Sequence, residues 1–211
     1  MTGLIETVRV SAGAAPLWRL HRRRLAASSA ALGLDAVAVA VEMPQGGPDR
    51  IVRIEVRREG VSVSERIVPP PGPVRLVVSG EPYRPYPHKV TERGQFDRAL
   101  AEAARTEADD AVLLAEGGIV AEAARWGVYW WDGDRLCAPP MALGLLGSVA
   151  RARLAELAGP IEERAVSPAA LTRYPLFVAN AARGIVEVVT WDGHASRREA
   201  RTGALAARFW P

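Results

Sequence analysis

Pro87-His88-Lys89-Val90-Thr91-Glu92-Arg93 contains the only lysine of a 211-residue chain; every other member of the Lys+Arg total is arginine. Arginine can replace lysine wherever a positive charge or a solvated stem is enough. It cannot replace a primary amine that loses its proton and attacks a carbonyl. Lys89 is therefore a candidate Schiff-base residue, against the plainer reading of a leftover on the surface. The residues just before it set the architecture. Gly80-Glu81-Pro82-Tyr83-Arg84-Pro85-Tyr86-Pro87 is broken by prolines that remove donors and push their neighbours extended. It reads as a linker over 80–88, between an N-terminal α/β sub-domain over 1–79 and a C-terminal sub-domain over 89–211. A site would lie between the two.

On the N-terminal side, Gly3 to Val10 alternates like a half-buried strand. Pro16 suits the first turn of a helix whose apolar face is Leu17, Leu20, Leu25, Ala31 and Leu32, closed by Gly33. Residues 35–42 are short and apolar, equally open to strand or helix. Arg50 to Arg57 and Val61 to Val68 predict a hairpin about Glu59-Gly60, stopped by Pro69-Pro70-Pro71-Gly72-Pro73 before a strand at Val74 to Ser79.

On the C-terminal side, Thr91 is placed to cap a helix through Phe96, Leu100, Ala103 and Ala104. Asp110 to Ala115 and Ile119 to Ala124 predict strands about a Glu116-Gly117-Gly118 turn. Tyr129-Trp130-Trp131 leads into an Asp132-Gly133 hairpin. Gly144-Leu145-Leu146-Gly147-Ser148-Val149-Ala150-Arg151 opens a helix to about Leu157, and strands follow at Ile161 to Val166, Phe177 to Ala179 and Gly184 to Val189. The class is α+β: two small sub-domains of antiparallel or mixed sheet with flanking helices.

Composition narrows the function. With 49% hydrophobic and 24% charged residues the chain is an ordinary globular protein. Its net charge of +3 contains no basic run longer than Arg22-Arg23-Arg24, which gives nucleic-acid binding little support. No apolar run spans a bilayer, no signal-peptide pattern opens the chain, and a single cysteine, Cys137, rules out an internal disulfide. The expectation is a cytoplasmic enzyme or binding protein, without a metal.

Five segments then fall into a recognisable order: Ile5-Glu6-Thr7-Val8-Arg9, His21-Arg22-Arg23-Arg24-Leu25, His88-Lys89, Gly118-Ile119-Val120-Ala121-Glu122, and Pro139-Pro140 followed by 144–151. This order resembles the class IV aminotransferase family, pyridoxal-phosphate enzymes of fold type IV that include branched-chain and D-amino-acid aminotransferases and aminodeoxychorismate lyase. The resemblance covers nearly the whole chain. It implies pyridoxal 5′-phosphate as cofactor, a small amino substrate and a homodimer. Lys89 would carry the cofactor as a Schiff base and later move the substrate proton. Glu122 would face the ring nitrogen and keep the ring an electron sink. Arg24 would bind the phosphate with its fork, beside the backbone N–H groups of Val149 and Ala150 at a helix N-terminus. His21 would be structural.

The chain also departs from the family pattern. Ala150 stands where a threonine is usual, Ala181 where serine or threonine is frequent, and Gly127 where an asparagine is expected. Two side-chain donors to the phosphate are missing, with Ser148 or water as the substitutes. Arg9, Arg84, Arg93 and Arg183 are candidate partners for a substrate carboxylate. Trp18, Trp130 and Trp131 are candidates for either a subunit interface or the core. The leading expectation is a 4-amino-4-deoxychorismate lyase, a folate-pathway activity releasing pyruvate and leaving 4-aminobenzoate. The alternatives are an aminotransferase of branched-chain or D-amino acids and a non-catalytic family member.

Overall fold

The computed structural model describes residues 2–211. In chain order the elements are β1 (Leu4–Val10), α1 (Trp18–Leu32), α2 (Asp35–Ala38), β2 (Arg50–Arg57), β3 (Gly60–Ile67), β4 (Val74–Pro82), α3 (Gly94–Arg105), β5 (Asp110–Ala115), β6 (Ile119–Ala123), β7 (Gly127–Asp132), β8 (Arg135–Ala138), α4 (Val149–Ala158), β9 (Glu162–Glu163), α5 (Pro168–Leu171), β10 (Leu176–Asn180), β11 (Gly184–Trp191), β12 (His194–Ala195) and α6 (Ala200–Ala207). The architecture is α+β, with helices flanking a small and a large sheet.

The small sheet has the order β1-β2-β3, antiparallel throughout, with Leu4 opposite Val56 and Val10 opposite Arg50. Leu4, Val8 and Val10 of β1 and Val52, Ile54 and Val56 of β2 pack with Trp18 and Leu25 of α1. Alternation with period two puts these residues on one face, which is why the strand was legible. Residues 35–42, undecided in sequence, begin with the short helix α2.

The large sheet runs β6-β5-β4-β11-β10-β7-β8-β9, with β12 added to β11. β4 lies between β5 and β11 and is parallel to both, so the first 79 residues contribute to both sheets. The sheet curls, and β6 passes through a tight turn at Ala124 to Trp126 directly into β7. Trp126, Trp130 and Trp191 fill the curl with Val112, Val128 and Val178. Trp130 and Trp131 are thus core residues, as is Trp18 in the other sheet's core. Leu17 and Leu20 of α1 pack with Tyr129, Phe177, Leu154 and Phe209, which joins the two halves.

Three local expectations are corrected. β4 does not stop at Ser79: it continues through Gly80 and Glu81, expected in the linker, to Pro82, which lies opposite Leu114 of β5. Thr91 does not cap α3: the cap position is Arg93, with no side-chain bond. The Thr91 hydroxyl instead accepts the Gly3 N–H at 3.0 Å. The strand expected at Ile161 to Val166 shortens to Glu162–Glu163, because only Cys137 and Ala138 pair with it.

Candidate active site

Lys89 is positioned by backbone pairing. Its carbonyl accepts the Ile5 N–H at 2.7 Å, and the Gly3 carbonyl accepts the Thr91 N–H at 2.9 Å. The residues after the linker thus extend the small sheet along the outer edge of β1, and the lysine side chain enters a cavity of about 300 Å³. Glu122, Arg24, Ser148, Val149, Ala150, Ala181, Arg93 and Arg183 line that same cavity. The structure therefore brings together every expected cofactor residue and two of the expected substrate arginines. Arg9 is elsewhere: it pairs with Asp49 at 2.7 Å and lines a separate cavity. Arg84 is exposed, its backbone held by Gln95.

Burial pushes the Lys89 amine down to about 7, and Arg24 adds to the shift, so the amine is substantially neutral near physiological pH. Its Nζ donates to the Thr7 hydroxyl at 3.3 Å. A neutral amine is what nucleophilic attack and proton abstraction require.

Arg24 is fixed by a residue whose role sequence reasoning missed. Its Nε donates to Glu6 Oε1 at 2.9 Å and its Nη2 to Oε2 at 2.5 Å, a two-pronged pair. His21, fully buried, holds Glu6 Oε2 through Nδ1 at 2.6 Å. Burial alone would raise the Glu6 carboxyl, but Arg24 and His21 hold it down at about 2. His21 itself is pushed below its ordinary value by burial, so it is the neutral imidazole that donates from Nδ1. The fork of Arg24 is thus clamped in place before anything enters the cavity.

Glu122 is buried on β6 and has no such cation against it. Burial pushes its carboxyl up to about 7, against weaker opposing pulls from the Tyr83 hydroxyl and the Leu146 N–H. The Tyr83 oxygen lies 2.9 Å from Glu122 Oε1 and 2.9 Å from the Gly144 carbonyl. A phenol has one proton. When Glu122 is ionised Tyr83 donates to it; when Glu122 is protonated it donates to Tyr83, which donates to Gly144. The Gly144 carbonyl also accepts the Tyr86 N–H at 2.8 Å, so it is satisfied in either state. Gly144 has φ +75°, and a Cβ there would come within 2.6 Å of Pro85, so this turn requires glycine. Tyr83 and Tyr86 are both buried, so the proline-rich linker supplies part of the site's wall.

At the third side, Ser148 caps α4 by accepting the Arg151 N–H at 3.0 Å. Its hydroxyl also hydrogen-bonds the buried Tyr129 hydroxyl, and the first-turn N–H groups of Val149 and Ala150 have no acceptor inside the helix. Gly127 leaves room for the Tyr129 hydroxyl, which a Cβ would approach to 2.7 Å. Arg24, two amides and Ser148 make a donor set suited to a phosphate. Lys89 supplies an amine and Glu122 a carboxyl that ionises near neutrality. These residues fit pyridoxal phosphate, even without hydroxyls at 150 and 181.

Comparisons with known proteins agree. The sequence matches the family described as amino-transferase class IV over residues 49–191. Solved structures share the fold. One is a proposed amino-acid aminotransferase from Mesorhizobium loti, with 25% identity over 89% of this chain and 99% of that one and a TM-score of 0.77. A proposed 4-amino-4-deoxychorismate lyase has 22% identity, 99% and 90% coverage and a TM-score of 0.81. A branched-chain aminotransferase from Thermoproteus uzoniensis, solved with norvaline, has 19% identity, 98% and 84% coverage and a TM-score of 0.84. No curated protein matches the sequence. With its fold-type IV architecture and a family match over more than half of its length, the chain belongs to the class IV aminotransferase family of pyridoxal-phosphate enzymes.

Proposed function

We propose that the protein is a pyridoxal-phosphate-dependent lyase acting on 4-amino-4-deoxychorismate. The observation that carries this reading over an aminotransferase of branched-chain substrates is the cavity wall. Alongside Phe96, Leu100 and Leu146 it presents Arg53, Arg93 and Arg183, a surface for carboxylates more than for an aliphatic side chain.

When bound, the cofactor supplies an electron sink for the carbon that loses its proton. Lys89 would hold it through Nζ, Arg24 with Val149, Ala150 and Ser148 would hold its phosphate, and Glu122 would face its ring nitrogen. The Lys89 amine, neutral once released, takes the proton from the substrate carbon that bears nitrogen. Thr7 accepts a hydrogen bond from Nζ and keeps the amine aimed into the cavity. The carbon–oxygen bond to the enolpyruvyl group then breaks, the departing enol takes up a proton to become pyruvate, and the ring becomes 4-aminobenzoate. Tyr86, Phe96 and Leu146 exclude water from that side.

The aminotransferase reading uses the same residues to return the amino group to a 2-oxo acid, and is favoured by the 25% identity with the Mesorhizobium loti protein. Incubation with 4-amino-4-deoxychorismate separates the two. The expected result is 4-aminobenzoate and pyruvate in equal amounts; conversion of the cofactor to its pyridoxamine form by an amino donor, with no 4-aminobenzoate, overturns the lyase reading. A homodimer and a cytoplasmic location accompany this proposal, supported by the family resemblance and by a single, buried cysteine. Light scattering of the purified protein tests the dimer. No helix of the described residues is long and apolar enough to cross a membrane.

A further inference from the structure

Three positions on the wall of the Lys89 cavity, Gly127, Ala150 and Ala181, lack the polar side chain expected of them. Another residue stands just behind them. Tyr129 lies two places beyond Gly127 on the same face of β7, its ring stacked on Phe177 of β10 with 5.4 Å between centres. The side chain is buried and is not part of the cavity wall. Its hydroxyl fills the space that a side chain at 127 would need: a Cβ there would stand 2.7 Å from the phenol oxygen and 3.0 Å from the ring. An asparagine at 127 and a phenol in this place exclude one another.

The phenol is hydrogen-bonded to Ser148, the cap of α4. Counting protons gives the direction of that bond. Tyr129 has no other hydrogen-bond partner among the described residues, and a buried phenol proton without an acceptor is costly. Tyr129 therefore donates and Ser148 Oγ accepts. The same oxygen accepts the Arg151 N–H at 3.0 Å, so both of its lone pairs are taken. The one proton of Ser148 is then left for the cavity that Ser148 lines with Val149 and Ala150. Burial pushes the Tyr129 hydroxyl up to about 12, so it keeps its proton, and the bond its direction, well above neutrality.

We propose that Tyr129 is a positioning residue for the cofactor: by donating to Ser148 it turns the Ser148 hydroxyl onto the phosphate, a relay that takes over from the hydroxyls missing at 150 and 181. Gly127 belongs to the same arrangement, because it makes room for the phenol. The inference rests on the reading of the Lys89 cavity as the pyridoxal-phosphate site. Tyr129 acts through Ser148 and does not itself reach the cavity.

The test is titration of the cofactor-free protein with pyridoxal phosphate and with pyridoxal, which lacks the phosphate. Binding is read from the visible band that either compound gives on attachment to Lys89. The unmutated protein should bind the phosphorylated compound far more tightly. Tyr129→Phe, which removes only the hydroxyl, should weaken pyridoxal phosphate about tenfold and leave pyridoxal unchanged. Ser148→Ala should do the same, and the double variant should bind no more weakly than Ser148→Ala alone, since the two residues act in series. Gly127→Ala crowds the phenol without removing it; it should reproduce the loss, and it decides the matter should Tyr129→Phe fail to fold. Unchanged pyridoxal phosphate affinity in Tyr129→Phe overturns the proposal. So does an equal loss for pyridoxal, which would make the hydroxyl a packing group only, and so does a double variant whose losses multiply. An unmutated protein that binds both compounds equally overturns the phosphate site and the proposal together. One that forms no band with either overturns the pyridoxal-phosphate reading itself, and the proposal with it.

Discussion

Glu6 and Glu122 are the same side chain, both buried, one in each sheet and both within the field of Lys89, yet they are held in opposite states. Glu6 faces a guanidinium fork and stays ionised down to about pH 2. Glu122 faces a phenol and a backbone amide and takes up a proton at about 7. The difference lies in the neighbours: a cation repays the desolvation of a carboxylate, whereas neutral donors offset only part of it. One glutamate is a fixed strut for Arg24. The other is a group whose charge can answer to a ring nitrogen placed beside it.

The contrast can be broken at several points. Removing the amine that both carboxylates act upon has the largest effect: Lys89→Ala should reduce turnover by about a thousandfold or more and abolish the visible absorption of bound pyridoxal phosphate. Retention of that band in the variant would show that the cofactor is attached elsewhere. Glu6→Gln comes next, because it leaves Arg24 uncompensated in a buried setting. It should cost about 3–5 kcal/mol of stability by denaturant titration and loosen pyridoxal phosphate. A loss of less than about 1 kcal/mol would mean that Arg24 is not clamped.

The two glutamates also predict opposite pH behaviour of the cofactor-free protein. Glu6 has a folded value below its ordinary 4.5, so its contribution is complete above about pH 4.5 and is lost as pH falls through about 2. Glu122 has a raised folded value, so its contribution is complete below about pH 4.5 and is lost as pH rises through about 7. At about 1.4 kcal/mol per pH unit, each amounts to roughly 3 kcal/mol. Glu122→Gln should therefore melt higher than the unmutated protein at pH 8.5 but not at pH 4, while its turnover falls about a hundredfold. Equal melting shifts at both pH values would show that Glu122 does not titrate near neutrality. The smallest effect is expected of Tyr83→Phe, which removes a bond that lowers Glu122. The pH profile of kcat should move upward by about one unit, with less than a tenfold change in its maximum. An unmoved profile would take Tyr83 out of the site.

Lys89 and Glu122 could be found in sequence because each breaks its surroundings: one lysine among arginines, one acid in an apolar strand. Arg24 depended on the order of motifs. Glu6 and Tyr83 left no such trace. Glu6 occupies an alternating strand where a polar residue is ordinary, and its importance comes from His21 and Arg24, brought to it by the packing of α1. Tyr83 follows Pro82 at the end of β4 and precedes further prolines, a pattern that does not show the linker folding into the cavity. Thr91 had the right chemistry for a cap but found a nearer donor in Gly3. Arg9 was drawn off by Asp49. The elements followed local patterns; the pairings that shape the site are long-range contacts that no window of sequence contains.

One feature of the composition has a practical consequence for anyone handling the protein. Because Lys89 is the sole lysine and is half-buried on the wall of the cavity, a reagent selective for side-chain amines has a single address, approached through the cavity. Its modification, read as one mass increment, becomes a clock for how often the cavity opens, and ligands that fill the cavity should slow that clock without any change to the chain.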